Sequence, residues 1–458
     1  MIKRLSKHRQ MMTLIATILG SSVVLLDGYI VNLALHKIGV HLHASFSVLQ
    51  WIVDGYTLTL SALILLGGSL GDIFGRKRVY LIGLVGFAVS SLFCAAAPSA
   101  LFLIIARIVQ GIFGALLVPG GLSIIDNAFE LKDRGKAIGR WTAWTSAAVV
   151  AGPLVGGVIL DVASWRWIFI INLPIALICL LIALPSIAES KDKIKRRVDW
   201  LGAALAALSL AGITYGLIEG PVSHWSVSIV AALIVGVLIG VTFVFYEAYH
   251  PDPMVNLTLF KSRNFSGSNL MTFGMYGALS GFTVALAIYM QQYVGFSSLK
   301  TGLSTLPVSF LMFLFAGRVG GLSSKFGPRI FMTIGPILAG IGILSLYQMH
   351  HGSSYLVDIL PGVLIFGSGL VLTVSPLTTT VMTSVKEEDS GIASGINNAV
   401  SRAAGLIVVA LLGLLGASSY YHFAILLSAG MAVAAGVISY LVVEDHVVTG
   451  LPKRSVSE

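Results

Sequence analysis

"VVLLDGYIVN", residues 23–32, places one acid inside an apolar run: from Met11 to Ala34 the chain carries no other charged side chain. About 20 apolar residues in a helix span a hydrocarbon core of about 30 Å, and only helices or closed barrels satisfy the backbone there. The apolar residues are continuous rather than alternating, so the stretch reads as a transmembrane helix with a carboxylate, Asp27, inside it. An ionisable group at such a depth costs about 2.5–3.5 kcal/mol on insertion scales, so it calls for a partner or a water-filled cavity.

The rest of the 458-residue chain repeats this pattern. It is 56% hydrophobic and only 11% charged, against roughly 25% charged in soluble domains, and its mean hydropathy is +0.91. Fourteen apolar runs are centred near residues 22, 60, 88, 111, 150, 176, 209, 236, 279, 312, 340, 367, 404 and 432. An even number puts both termini on one side, and Lys and Arg identify that side, because cytoplasmic segments carry an excess of them. Alternate segments, from Lys3–Arg9 through Arg76–Arg78, Lys132–Arg140 and Lys191–Arg197 to Lys453–Arg454, hold 24 of the 29 basic residues. The expectation is a multi-pass protein of the cytoplasmic membrane with both termini cytoplasmic. The net charge of +9 belongs to these loops, which can touch anionic lipid, and not to a nucleic-acid surface. Cys94 and Cys179 fall within spans and lack the spacing of a metal or redox motif, so no metal site is expected. The N-terminal "MIKRLSKHRQ" resembles a signal peptide, but the following run is too long and lacks a cleavage site, so it reads as a retained first span.

Two longer polar connections, "ESKDKIKRRVD" (189–199) and "EAYHPDPMVNLTLFKSRNF" (247–265), bracket the seventh and eighth runs. Treated as an insertion, these two helices leave six on each side, and a parallel repeat is then expected. "GSLGDIFGRK" (68–77) matches "GLSSKFGPR" (321–329) with Gly75 on Gly327, an offset of 252. "DRGKAIG" (133–139) matches "DSGIASG" (389–395) at 256, as Gly111 matches Gly367. The expected organisation is an all-α membrane protein: an N-terminal six-helix bundle (1–188), linkers with inserted helices 7 and 8 (189–262), a C-terminal six-helix bundle (263–446) and a cytoplasmic tail (447–458).

Asp27 and Arg107 each lie about eight residues from the outer ends of antiparallel helices 1 and 4, about 12 Å deep at 1.5 Å per residue. They are placed to pair, and a carboxylate that gains and loses a fixed cation can carry a proton; a static ion pair is the alternative. Asp54, in "WIVDGY" near the outer end of helix 2, is a second candidate carrier. Arg402, in the middle of helix 13, has no acid in its half except Asp358 near the end of helix 12. In the loop joining helices 2 and 3, Gly68 and Gly75 permit close approach and a tight turn; Asp72 suits a helix N-terminus or a cation, and Arg76 can reach Asp126 of helix 4. In "AGPLVGGVI" (151–159), Gly152, Gly156 and Gly157 suit close helix packing, and Pro153 removes a helix hydrogen bond.

Together these segments resemble the major facilitator superfamily, specifically drug:proton antiporter family 2, the fourteen-helix quaternary-ammonium and multidrug exporters. "GSLGDIFGRK" is similar to the superfamily's loop 2–3 signature, "RIVQG" (107–111) to its helix 4 motif and "AGPLVGG" to its helix 5 antiporter motif. "LDGYIVNLAL" (26–35) and "WRWIFIINLP" (165–174) resemble motifs typical of the fourteen-helix exporters. The resemblance implies proton coupling and cation recognition for Asp27, Asp54 and Arg107. It implies a latch closing the cytoplasmic side for Asp72, Arg76 and Asp126, and a bend favouring export for Gly152 and Pro153. Two departures are visible: Ser324 stands where the repeat would place an acid, and helices 9 and 10 carry no embedded acid.

The expected function is a proton-coupled antiporter that exports lipophilic, monocationic drugs, with small molecules, protons and membrane lipids as partners. No cofactor beyond the proton gradient, no nucleic acid and no obligate protein partner are expected. Candidate cavity residues are Gln110, Phe113, Tyr276, Phe282, Asn397, Asn398 and Arg402; aromatic rings among them suit flat cations. A narrower exporter, for an antibiotic such as tetracycline, a lipid or a metabolite, would share the fold and the proton machinery. A polytopic membrane enzyme needs a catalytic cluster, and His36, His41 and His43, read as an outer loop without a nearby acid, do not supply one.

Overall fold

The computed structural model describes residues 6–129, 131–191, 198–251, 253, 255–385, 390–412 and 420–445. Those residues form fourteen long helices and no strand. They are α1 (Lys7–Leu42), α2 (Phe46–Phe74), α3 (Arg76–Ala96), α4 (Ala100–Ala128), α5 (Leu131–Val162), α6 (Trp167–Ser186, with a turn at Ile171), α7 (Trp200–Val222), α8 (Val227–Tyr249), α9 (Arg263–Gln292), α10 (Ser298–Phe326), α11 (Arg329–Ser345), α12 (Tyr355–Thr383), α13 (Ser390–Leu411) and α14 (Tyr420–Val442). Eleven are long and apolar enough to cross a membrane, and α11 and part of α13 are shorter apolar helices. Polar caps set several starts: the Ser99, Ser262 and Ser297 hydroxyls accept from the backbone three residues on, and Asp199 does so for Gly202. One boundary differs from expectation. The first helix runs on to Leu42, so His36 and His41 are helical, and His43 ends the helix at φ 50°.

The two halves repeat each other helix by helix. In the first, α1 packs on α4, α5 and α6, and α4 on α2 and α3, while α3 meets α6. In the second, α9 packs on α12, α13 and α14, and α12 on α10 and α11, while α11 meets α14. A shift of eight helices turns one set into the other. The halves join where α5 meets α10 and α2 meets α13, and α1 also touches α9. The extra pair, α7 and α8, packs together through Gly212 and Gly236, and α7 rests on α2 and α13. This is the major facilitator architecture: two six-helix bundles with two inserted helices.

The same repeat ties down the base of each half. Gly75 and Gly327 turn the chain at φ 110° and 85°, values that favour glycine. Beside each sits a carboxylate from the end of that half's last helix. Glu189 accepts from the Lys77 and Arg78 amides (3.1 and 3.3 Å), and Asp445 from the Arg329 amide (3.2 Å). In return, Lys77 donates to the Leu184 carbonyl (2.6 Å) and Arg329 to the Tyr440 carbonyl (2.9 Å). Acid thus meets a helix start and base a helix end, as the dipoles require.

Between the halves, the polar contacts of the described residues gather away from the face where α1 begins and α14 ends. Gln291 donates to the Leu33 carbonyl (3.1 Å), Gln50 to that of Val409 (2.7 Å), and the Leu299 amide to Asp161 (3.2 Å). Toward the other face Thr378, Met382 and Asn398 are exposed, so the cleft opens there.

Candidate functional site

Five polar side chains from four helices meet inside the first half. Asp27 (α1), Arg107 and Gln110 (α4), Ser91 (α3) and Asn172 (α6) are all buried, none more than 1% exposed. Arg107 donates one terminal nitrogen to Asp27 Oδ2 and to Gln110 Oε1 (2.7 Å), and its Nε to the Ile52 carbonyl (3.3 Å). Asp27 Oδ1 accepts from Gln110 (3.2 Å) and Asn172 (2.9 Å). Both amides also donate to Ser91 Oγ, whose hydroxyl donates on to the Phe169 carbonyl (3.1 Å). The Tyr56 ring lies 4.0 Å from the guanidinium carbon, a cation–π contact.

This arrangement meets the requirement raised by Asp27. A buried pair is sound only when its remaining hydrogen-bonding capacity is filled, and loss of one partner strands the other. Here both carboxylate oxygens are taken. Ser91 and Asn172 are polar residues inside apolar runs, a signal that sequence reading passed over. Gln110 was expected at a cavity wall and instead bridges acid, base and serine, with no exposed surface.

Asp54 does not join this network. It follows Gln50, which reaches α13, by one turn, and Trp51, which donates to Glu219 of α7 (2.8 Å), by three residues. It therefore projects into the seam of α2, α7 and α13, fully buried, with neither oxygen hydrogen-bonded.

At the base of α2, Arg76 donates to Asp72 Oδ1 (2.8 Å), not to Asp126 as expected. The residues are four apart across a glycine turn, which brings them side by side. Asp126 has contacts of its own. Gly68 lies beside Pro119 of α4.

On α5, Gly152 faces Tyr29 and Ile30, and Gly156 lies so near Ile30 that a Cβ would stand 3.0 Å from its side chain. Gly157 crosses to the other half, where a Cβ would fall 2.6 Å from the Leu299 Cα. These glycines set the distance of α5 from α1 and α10. The side chain of Pro153 lies outside the described atoms.

Of the expected cavity residues, Tyr276, Asn397 and Asn398 line a recess of about 90 Å³ with Thr378, Val381, Met382 and Ser401. Asn397 donates to Thr272 (2.7 Å) and Asn269 (3.2 Å) of α9. Phe113 and Phe282 are elsewhere. Phe113 packs over Gly86 of α3, and Phe282 is 2% exposed and meets Phe366 edge to face at 4.8 Å. Helices apolar on every side do not show which face is inward. Arg402 Nε is buried and without a hydrogen-bond partner.

Comparison with known proteins agrees with this architecture. The chain is 35% identical over 406 residues to "Multidrug resistance protein Stp" of Mycobacterium tuberculosis, covering 88% of this chain and 75% of that one. It is 32% identical over 406 residues to "Methylenomycin A resistance protein" of Bacillus subtilis, covering 88% and 86%. A crystal structure of a POT family transporter in complex with 5-aminolevulinic acid superimposes with a TM-score of 0.72 at 14% identity, covering 94% of this chain and 96% of that one, and so shares its fold. With the sequence profile of the Major Facilitator Superfamily matching residues 17–409, and with the repeat visible helix by helix, the chain belongs to that superfamily.

Proposed function

We propose that the chain is a proton-coupled antiporter that exports lipophilic, drug-like compounds, monocations among them, across the cytoplasmic membrane. Both termini and the open end of the cleft then face the cytoplasm. The observation that carries this reading is the sealed Asp27–Arg107 pair at the meeting point of α1, α3, α4 and α6.

A proton on Asp27 removes the charge that holds Arg107. Gln110, the Ile52 carbonyl and the Tyr56 ring remain to receive the guanidinium, so the pair has a second arrangement ready. Tyr29 lies two residues on, on the opposite face of α1, 36% exposed and beside Gly152 of α5. A change at Asp27 thereby reaches the cleft wall and the α5 seam through one helix. The driving energy is about 1.4 kcal/mol for each pH unit per proton, with about 2.3 kcal/mol per 100 mV for each net charge the exchange moves.

Relatives named for resistance to a single antibiotic, methylenomycin A, or for export of tetracenomycin C support a narrower reading as well. That version keeps the same pair and differs only in the cleft wall.

The test is proton release from purified, reconstituted protein on adding ethidium, wild type against Asp27→Asn. Release that disappears in the variant supports exchange through Asp27. Equal release from both would make the pair structural and shift the coupling to Asp54.

A further inference from the structure

Arg402 stands on α13 one helical turn beyond Asn398, which lines a recess walled by α9, α12 and α13 of the second half. Its Nε is sealed from solvent without a hydrogen-bond partner, and no carboxylate among the described residues pairs with it. Tyr29 of α1 and the buried Tyr56 of α2, in the first half, interact with it electrostatically. Tyr29 is in turn within reach of Tyr276, which lines the same recess.

The other charges at this depth do not offset it. Asp27 and Arg107 neutralise each other, and Asp54 is fully buried in the seam behind α2. Among the described residues, Arg402 is left without a paired carboxylate. Beside it, Tyr276, Thr378, Asn397, Asn398 and Ser401 offer neutral hydrogen-bonding groups, and Val381 and Met382 an apolar floor.

Deepening the exporter reading, on which it rests, we propose that Arg402 anchors an anionic oxygen of the cargo, so that the cleft accepts lipophilic weak acids, carboxylates or phenolates on a flat apolar body. A guanidinium presents its donors as a planar fork that matches such an oxygen pair, and it is less strongly hydrated than an ammonium. A guanidinium whose Nε is sealed from solvent lacks a counter-charge here, and an acidic cargo supplies it. The recess takes the body of the molecule.

The charge balance of transport differs with the cargo. One proton entering as one monocation leaves moves no net charge. One proton entering as one anion leaves moves two positive charges inward. Export of an acid therefore draws on an inside-negative potential, whereas export of a monocation draws on the pH difference alone.

The experiment uses the full chain in proteoliposomes with two dyes, fluorescein as the acid and ethidium as the cation, and measures equilibrium binding by anisotropy and then transport. Wild type binds fluorescein, more tightly above the pH at which the dye ionises than below it. Arg402→Gln weakens that binding at least tenfold while keeping the melting temperature of wild type, which shows that the variant is folded. Arg402→Lys, which keeps the charge without the fork, retains part of the fluorescein affinity. Absent fluorescein binding in wild type, equal binding by Arg402→Gln, or equal binding of the neutral and ionised dye overturns the proposal. If ethidium is still exchanged for protons in that case, the exporter reading stands and only the anion anchor falls. If neither dye moves under a proton gradient, both fall.

Discussion

The two halves share one scaffold and differ in what fills it. At the 256-residue offset, Val363 and Phe366 stand where Arg107 and Gln110 stand in the first half. Phe366 meets Phe282 edge to face, and α9 contains no acid to correspond to Asp27. The same helix crossings thus enclose an ion pair with its hydrogen-bonded neighbours on one side and an aromatic core on the other. The acid proposed to take up the proton lies in the first half, and the corresponding core of the second half is aromatic. Such cores resist gradual deformation, so a change in the first half is passed on as a displacement of whole helices.

The strongest way to break this contrast is Arg107→Ala. It leaves Asp27 buried without its cation and should cost about 3–5 kcal/mol, read as a marked fall in melting temperature in detergent together with loss of dye efflux. Adding Asp27→Asn to Arg107→Gln removes both charges, and should recover most of the melting temperature while leaving proton release absent. Recovery of release would show that the pair is not the carrier.

Phe282→Ala in the second half should cost about 3 kcal/mol through the space it leaves, yet keep the number of protons released per cargo molecule. A changed ratio would mean that the two halves share the coupling after all. A smaller effect separates the seams. Gly157→Ala drives a methyl against the Leu299 backbone and should cost about 1–3 kcal/mol, read as greater labelling of a cysteine placed at residue 292. Gly405→Ala, inside the second half, meets only the Ser280 side chain, with Oγ 2.6 Å and Cβ 3.2 Å from the added carbon; a rotamer change with a shift of a few tenths of an ångström should absorb it, leaving labelling near wild type. Smallest are the two base caps: Glu189→Gln and Asp445→Asn should each cost about 1 kcal/mol. Glu189 covers two amides and Asp445 one, so the loss in melting temperature should be the larger for Glu189→Gln.

How much of this was legible in the sequence follows from what a charge costs in lipid. Asp27 and Arg107 stand out in apolar runs, and counting along antiparallel helices placed them at one depth, where the structure joins them. The partners around them did not stand out, because Ser91 and Asn172 are small polar residues of a kind that membrane helices tolerate at many positions. Phe113 and Phe282 were assigned to the cleft because an all-round apolar helix hides its inner face, and only packing reveals it. The Arg76 partner was misjudged because the glycine turn at Gly75 brings Asp72 alongside, nearer than Asp126. Glu189 and Asp445 could not be recognised as caps from spacing alone, since each lies more than a hundred residues from the helix start it covers.

Those two caps bear on how such a chain arose. Each joins the third helix of a half to the end of its sixth, so a six-helix unit closes on itself without help from its twin. A single ancestral unit would already have held its own base together, and duplication then needed no new fastening within either copy. Glu189 and Ser190, just past the end of α6, belong to the first closure, so the gene divided beyond them and before α7 should yield two polypeptides that fold separately and assemble into a working whole.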